Sequence, residues 1–290
     1  MKPTKLALLI STALTLAACT SAPTPAPAPI APPPPVVAAT SAPAATASPA
    51  IDNIDAVLAG AHRSDANRAR DVYRHPKETL AFFGVTPAST VIEVWPGGGW
   101  YTEVLAPLVR SKGAYSAAFP AQSVNGLKNF QTKLATNSAL YDKVKIAPFG
   151  VPAALDIKPA GGADVVMTFR NVHNWLKDGW TDAFMKSFFD ALKPGGVLGV
   201  VEHRAKPGTT VKEWIESGYV TEAFVIERAL AAGFKLDAKS EINANAKDTK
   251  DYPKGVWTLP PNFAEKQVDR EKYLAIGESD RMTLRFVKPL

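Results

Sequence analysis

The 290-residue sequence contains little cysteine and has no strong excess of charge of either sign. Its single cysteine is Cys19, so the chain can form no internal disulfide and no cysteine-built metal site. Its 33 basic and 27 acidic residues are spread along the chain, whereas a nucleic-acid-binding surface concentrates basic residues on one face. We therefore expect no nucleic-acid partner. A sizeable core is expected, because 46% of the residues are hydrophobic.

A secretory signal and a lipid anchor are predicted at the start of the sequence. Lys2 and Lys5 precede a short apolar run that ends in Leu16-Ala17-Ala18-Cys19. A basic start, an apolar segment too short to span a membrane and small residues before a cleavage site are typical of secretory signals. The last four residues resemble the lipobox of bacterial lipoproteins, which implies that Cys19 is acylated and anchors the chain to a membrane. Thr20 follows instead of an aspartate, which by the same resemblance implies the outer membrane, facing the periplasm.

The next segment is predicted to be an extended linker. Residues 20–50 carry no charge and hold 10 of the 25 prolines. Such a composition cannot bury a core and favours a polyproline-like tether. We therefore divide the chain into a signal peptide (1–18), a lipid-anchored linker (19–50) and a folded domain (51–290).

The folded domain is organised around a strand, a glycine turn and a helix within Val91–Thr102. Glu93 lies in the strand, and Gly97, Gly98 and Gly99 form the turn. Glycines allow the backbone to approach a ligand, and the first free N–H groups of the helix point towards it. This acid-x-x-x-Gly-x-Gly spacing resembles motif I of the class I S-adenosylmethionine-dependent methyltransferases, with Trp95 where a first glycine often lies. A dinucleotide fingerprint would need glycine at Thr102, so a nicotinamide oxidoreductase is the third-ranked alternative.

Later motifs extend this resemblance over residues 52–290. Arg170-Asn171, after the predicted strand Asp164–Phe169, is similar to the ubiquinone- and menaquinone-biosynthesis methyltransferases. The following His173-Asn174-Trp175 resembles a group of predicted bacterial methyltransferases. With the lipobox, the resemblance is to the exported lipoproteins of that group. Leu192–Gly196 reads Leu-Lys-Pro-Gly-Gly before a strand, as is frequent in class I enzymes. The resemblance implies an α/β, Rossmann-like class I methyltransferase fold. Its mostly parallel seven-stranded sheet would have an antiparallel last strand and N-terminal lead-in helices.

The predicted lead-in helices, residues 52–83, carry several basic side chains. They are Arg68, Arg70, Arg74 and His75. We interpret them as a solvated basic face, with a ligand-facing surface as the alternative.

The resemblance also implies a cofactor, S-adenosylmethionine, and a set of residues that hold it. Glu93 would anchor the glycine turn or accept from the amino group of the ligand, while the turn backbone would lie along its methionine portion. The cofactor-binding candidates are Glu93, Trp95, Gly97, Gly98, Gly99, Tyr101, Arg170 and Asn171. His173 and His203 are the candidate catalytic bases, because neutral imidazole suits proton removal near pH 7. None of these residues is assigned to a metal.

Two positions depart from the family pattern. The second strand ends in Ala118-Phe119-Pro120, where most relatives have an acid for the ribose hydroxyls. The acid expected after the third strand is also missing, and Asp156 is the nearest candidate. Two functions therefore stay open. One is methyl transfer to an oxygen or nitrogen of a small or envelope-associated molecule, and the other is a non-catalytic, methyltransferase-like periplasmic ligand-binding lipoprotein.

Overall fold

A seven-stranded sheet forms the centre of the domain. The computed structural model describes residues 53–290; the predicted signal, Cys19 and the linker lie outside this range. The strand order is β3-β2-β1-β4-β5-β7-β6. The strands are β1 (Thr90–Val94), β2 (Ala114–Pro120), β3 (Lys145–Phe149), β4 (Ala163–Phe169), β5 (Leu192–His203), β6 (Lys235–Ser240) and β7 (Arg281–Val287). The pairs from β3 to β5 are parallel, and β7 is antiparallel to both its neighbours. The predicted α/β architecture, a mostly parallel seven-stranded sheet with an antiparallel last strand and N-terminal lead-in helices, is confirmed.

Helices flank this sheet on both sides. Four short ones precede it: α1 (Ile54–Ala59), α2 (Asp65–Arg68), α3 (Asp71–Arg74) and α4 (Pro76–Phe82). The others are α5 (Thr102–Val109), α6 (Val124–Ala135), α7 (Ser138–Tyr141), α8 (Val172–Lys177), α9 (Thr181–Ala191), α10 (Val211–Ser217), α11 (Glu222–Ala231) and α12 (Arg270–Ile276). A 3₁₀ turn covers Gly255–Thr258. Within residues 53–290, no helix has both the length and the apolar character to cross a bilayer.

The core lies on both faces of the sheet. Side chains alternate between faces along a strand. In β1, Ile92 and Val94 belong to one buried cluster, which includes Phe184 of α9, and Val91 belongs to a second cluster with Leu105 of α5. Parallel strands covered on both faces read as nearly continuous apolar runs, which is why these strands were recognisable in the sequence.

Helix α5 fixes the glycine turn to this core. All eight of its residues are buried, including the acidic Glu103. The Glu103 carboxylate accepts hydrogen bonds from Asn67, at 2.9 Å, and from Lys133. The turn lies between β1 and α5, where the sheet order runs towards β2 on one side and β4 on the other. Ligands of open α/β sheets bind at such a switch point, outside the carboxyl ends of the strands.

Some element bounds differ from those predicted. Strand β5 begins at Leu192, so Lys193–Gly196 forms part of the strand instead of a turn before it, and the Gly195 amide donates to the Lys288 carbonyl at 2.9 Å. The apolar spacing of residues 219–232 predicts a helix there. In the structure this helix starts at Glu222, because the Val220 amide donates to the His203 carbonyl and Val220 forms a bridge beside β5.

Candidate functional site

The first two glycines of the turn border open space. A Cβ at Gly97 or Gly98 would meet no atom within 4 Å, whereas one at Gly99 would meet the Lys133 side chain at 2.9 Å. Gly97 has φ +58°, a conformation that side chains strongly disfavour. The turn therefore exposes its backbone at Gly97 and Gly98 and packs against α6 at Gly99. Their contact with a cofactor stays a prediction.

Trp95 takes the first glycine position with a left-handed backbone, φ +49°. Bulky residues rarely adopt this conformation, which costs about 1–3 kcal/mol. Its indole packs edge-on against Trp175, Trp180 and Phe184, with ring centroids 6.1, 6.5 and 5.7 Å away. Its Nε1 donates to the carbonyl of Phe149, the last residue of β3, at 3.4 Å. The indole therefore fills the space between the carboxyl ends of β1 and β3.

Glu93 anchors the turn from below. Its Oε2 accepts hydrogen bonds from the Tyr115 hydroxyl at 2.5 Å and from Thr102 Oγ1 at 3.1 Å. Burial raises the pKa of this carboxyl to about 7, although both hydroxyls oppose the change. These contacts join β1 to β2 and to the first residue of α5, while contact of Glu93 with a ligand stays a prediction.

Asn171 and Arg170 join the loop after β4 to the same turn. The Asn171 amide nitrogen donates to the Val94 carbonyl at 3.0 Å and to the Trp95 carbonyl at 3.3 Å. Asn171 therefore holds two loops together with its own side chain. Arg170 has φ +62°, and its guanidinium makes no hydrogen bond or ion pair to any residue that the structure describes. Burial, together with the charge of the neighbouring Arg281, lowers the pKa of Arg170 to about 10.

A cavity of about 210 Å³ lies over the turn. Tyr101 forms one wall by stacking on Phe169, with ring centroids 3.6 Å apart and planes 11° from parallel. Trp100 forms another wall and lies 4.6 Å from the Arg74 guanidinium. The remaining lining residues are Asn67, Arg70, Glu93, Trp95, Pro96, Gly97, Gly98, Arg170 and Asn171. The volume lies below the roughly 300–1,000 Å³ that is common for small-molecule sites.

Two arginines of the lead-in helices turn inwards, so their interpretation as a solvated basic face is wrong. Arg74 is 2% exposed, and Arg70 lines the cavity. Both donate to Glu278, the Arg70 Nε at 2.6 Å and the Arg74 Nε at 3.2 Å. A third donor to this carboxylate is Arg281 of β7. We call Arg70, Arg74, Arg170 and Arg281 the arginine cluster. Arg68 instead pairs with the exposed Asp65 at 2.6 Å.

The two candidate bases lie side by side. The His173 and His203 ring centroids are 5.5 Å apart. His173 Nδ1 lies 3.1 Å from Glu202 Oε1, and His203 Nδ1 lies 2.5 Å from Ser279 Oγ. Burial lowers the pKa of His203 well below its ordinary value, and His173 and the nearby arginines lower it further. Both rings are buried, and neither lines the cavity at the turn. Their catalytic role stays a prediction.

Within residues 53–290, one group of potential metal ligands lies close together. Its ligand atoms belong to His173, Glu202 and His203 and lie within 4.8 Å of one another. The Glu202 carboxylate already accepts from the Val172 amide at 2.6 Å and the His203 amide at 2.8 Å. The positive charges of the arginine cluster act on His203 as well. These contacts argue against a cation site. They favour a hydrogen-bonded Glu202 carboxylate whose role is to orient His173.

The acids expected for ribose and adenine are missing from the described strand ends. Phe119 packs on Phe130, with ring centroids 5.3 Å apart, and the Ala118 carbonyl accepts from the Trp95 amide at 2.8 Å. Asp156 is exposed and accepts from the Lys158 amide within its own loop. Glu202, Glu278 and Arg281 were not predicted. Only the position of Glu202 beside His203, at the end of a strand, could have indicated the first of them.

Known proteins share the fold of this chain. No protein-family model matches the sequence, and no curated protein matches it. A solved S-adenosylmethionine-dependent methyltransferase from Aquifex aeolicus is 16% identical, covering 76% of this chain and 92% of its own, with a TM-score of 0.51. The [4+2]-cyclase SpnF is 18% identical, covering 80% of this chain and 85% of its own, with a TM-score of 0.53. Likeness at this level of identity establishes a shared fold.

Proposed function

We propose that this chain is an S-adenosylmethionine-dependent methyltransferase of class I that methylates an oxygen or nitrogen of a small or envelope-associated molecule. The observation that carries the proposal is the exposed backbone at Gly97 and Gly98. It lies at the carboxyl end of β1, where sheets of this kind bind ligands. The Aquifex aeolicus methyltransferase has the same fold.

Part of the cofactor fits the residues at the turn. The open backbone of Gly97 and Gly98 would lie along its methionine portion, and one guanidinium of the arginine cluster would pair with its carboxylate. When bound, S-adenosylmethionine supplies an electrophilic methyl group on its sulfonium sulfur. The cavity of about 210 Å³ is too small to enclose the whole molecule, so the nucleoside portion extends beyond it.

The chain's own contribution to the reaction is proton removal at His173. Glu202 holds the His173 ring through Nδ1, at 3.1 Å, which leaves Nε2 to accept the proton that the nucleophile loses. A carboxylate in this position fixes the tautomer and stabilises the imidazolium that forms. His203 stays neutral, because burial and nearby positive charge lower its pKa.

A second function is favoured by Trp95. Its indole occupies the carboxyl end of β3 and narrows the site. Ala118-Phe119-Pro120 also ends β2 where an acid is usual, and the acid for adenine is missing. The same scaffold without catalysis would then bind a different ligand as a periplasmic lipoprotein. The fold permits this, because sites and not folds determine function. One protein that shares the fold, SpnF, is named for a cyclisation.

Calorimetric titration decides between these two functions. We expect the full-length chain, purified in detergent, to bind S-adenosylmethionine and its demethylated product at micromolar concentrations. Gly98→Leu should abolish binding, because its side chain would enter the open space at the turn. Ala135→Leu adds similar bulk at an exposed site on α6 and should not change binding. If neither ligand binds the wild-type chain, the enzyme proposal is wrong and the binding function takes its place.

We also propose that the chain is an exported lipoprotein anchored through Cys19 in the outer membrane, facing the periplasm. The support is the sequence Leu16-Ala17-Ala18-Cys19 followed by an uncharged linker. Cys19→Ser should move the protein from the membrane fraction to the soluble fraction. A variant that still sediments with the envelope would contradict this proposal.

A further inference from the structure

The arginine cluster has more positive charge than the protein balances. Arg70, Arg74 and Arg281 share one carboxylate, that of Glu278. Arg170 makes no ion pair within residues 53–290. Among the residues that line the cavity, Glu93 has the only carboxyl group, and it is buried and hydrogen-bonded to two hydroxyls. Three guanidinium charges therefore lack a counter-charge.

Such an arrangement is costly without a ligand. Buried charges in proteins are normally paired, because an isolated ion loses its hydration. Here Arg74 and Arg281 are each 2% exposed. The nitrogens Arg70 Nη2, Arg74 Nη2 and Arg281 Nε are buried and have no hydrogen-bond partner. Buried donors of this kind are ready to bind oxygen atoms from outside the protein.

Two adjoining cavities bring these donors to one place. The larger cavity is lined by Arg70, Arg74 and Arg170. A second one, of about 10 Å³, has room for a single oxygen-sized atom and is lined by Arg74, Arg170 and Arg281. Because Arg74 and Arg170 line both cavities, an oxyanion in the larger one can direct an oxygen into the smaller one. The guanidinium groups of Arg74, Arg170 and Arg281 then surround that oxygen.

We propose that the methyl acceptor is a small molecule with a phosphate or carboxylate group, bound by Arg74, Arg170 and Arg281; this inference rests on the proposed function. The methionine carboxylate of the cofactor would neutralise only one of the three unbalanced charges. A phosphate on the acceptor neutralises the other two, and an acceptor with carboxylates needs two of them, as in succinate. Arginine suits this role, because its planar fork pairs with two oxygens at once.

Anion titration without any cofactor tests the site directly. Inorganic phosphate, succinate and chloride are titrated into the full-length chain at constant ionic strength. We expect saturable binding of phosphate or succinate at one site and none of chloride, and the tighter of the two identifies the group. Arg170→Gln should weaken binding by about tenfold or more without unfolding the chain, because Arg170 makes no internal ion pair. Arg110→Gln, which removes an exposed pair with Asp142, is the matched control.

The inference is overturned if neither phosphate nor succinate binds, or if Arg170→Gln binds them as tightly as the wild type. A competition experiment separates the acceptor from the cofactor. Phosphate and S-adenosylhomocysteine should bind at the same time, and mutual exclusion would show that the arginines serve the cofactor carboxylate instead. If S-adenosylhomocysteine does not bind at all, the proposed function fails, while the anion titration still reports on the arginine cluster.

Discussion

Arg74 and Glu278 form a buried ion pair across 204 positions of sequence, with 3.2 Å between Nε and Oε2. The pair connects α3 of the lead-in helices to the residues just before β7. It therefore joins the two ends of the folded domain at the wall of the cavity. The arginine cluster depends on this one carboxylate.

Glu278→Gln should destabilise the fold by about 3–5 kcal/mol, because removing one partner leaves buried guanidiniums unpaired. Burial alone would raise the pKa of Glu278, but Arg281, Arg74 and Arg70 outweigh burial and hold this pKa well below its ordinary value. Its contribution is therefore complete above the unfolded pKa, about 4.5, and is lost as pH falls below it. Urea unfolding near neutral pH measures the loss. Glu271→Gln, at an exposed position on α12, is the control.

Glu93→Gln should stabilise the protein at alkaline pH. The folded pKa of Glu93 is about 7, above its ordinary value of 4.5. Between these two values the folded state holds a proton that the unfolded chain has lost, so stability falls as pH rises and levels off above the folded pKa. The wild type should lose up to about 3 kcal/mol between about pH 5 and about pH 8. The variant should lose less, and parallel stability curves would argue against this assignment.

The His203 ring should stay neutral under mild acid. Its pKa is lowered by burial first, then by His173 and Arg281. As pH falls below the ordinary value of 6.5, the unfolded chain takes up a proton that the folded chain does not, and stability decreases. In an NMR titration the ring signals of His203 should therefore keep their neutral positions as the pH falls through the ordinary value of 6.5. His203→Gln should remove that signal; a full titration at the ordinary value would disprove the burial argument.

Trp95→Gly should lower the stability of the fold and raise its affinity for S-adenosylmethionine. Glycine relieves the left-handed backbone but removes the indole from its contacts with Trp175 and Phe184. Trp95 is partly buried, so its loss costs up to about 3–5 kcal/mol, and the relief of strain recovers about 1–3 kcal/mol. The enlarged site should bind S-adenosylmethionine more tightly than the wild type does in calorimetry. Equal affinity in both proteins would mean that the indole does not limit the site. Trp214→Phe, on α10, is a control for general loss of a tryptophan.

The architecture could be predicted because its signals are local. Continuous apolar runs such as Asp164–Phe169 identify buried parallel strands, and the glycine turn marks the start of a helix. Helix α12 was not predicted, since Arg270–Ile276 is short and polar and packs mainly through Tyr273. The strand assigned from Val197 extends back to Leu192 because β4 and the last residues of the chain pair with it.

The site was only partly predictable, since its pairs join distant positions. Nothing near Arg70 and Arg74 in the sequence indicates that Glu278 lies beside them, and without that carboxylate a solvated face is the reasonable expectation. The contact of His173 with Glu202 likewise depends on how β4 and β5 align. Trp95 occupies a glycine position, and nothing near it in the sequence indicates where its indole points. The aromatic residues of α8 and α9 determine that direction.

Helix α5, buried along its whole length, makes the glycine turn a rigid part of the molecule. A shift of the turn would require the interior to repack, so the glycine turn should keep its conformation until the entire domain unfolds. An incoming molecule would then meet a preorganised surface, and the entropy of shaping it would already have been spent during folding. Adaptation to different ligands would have to come from the arginine side chains and the surrounding loops.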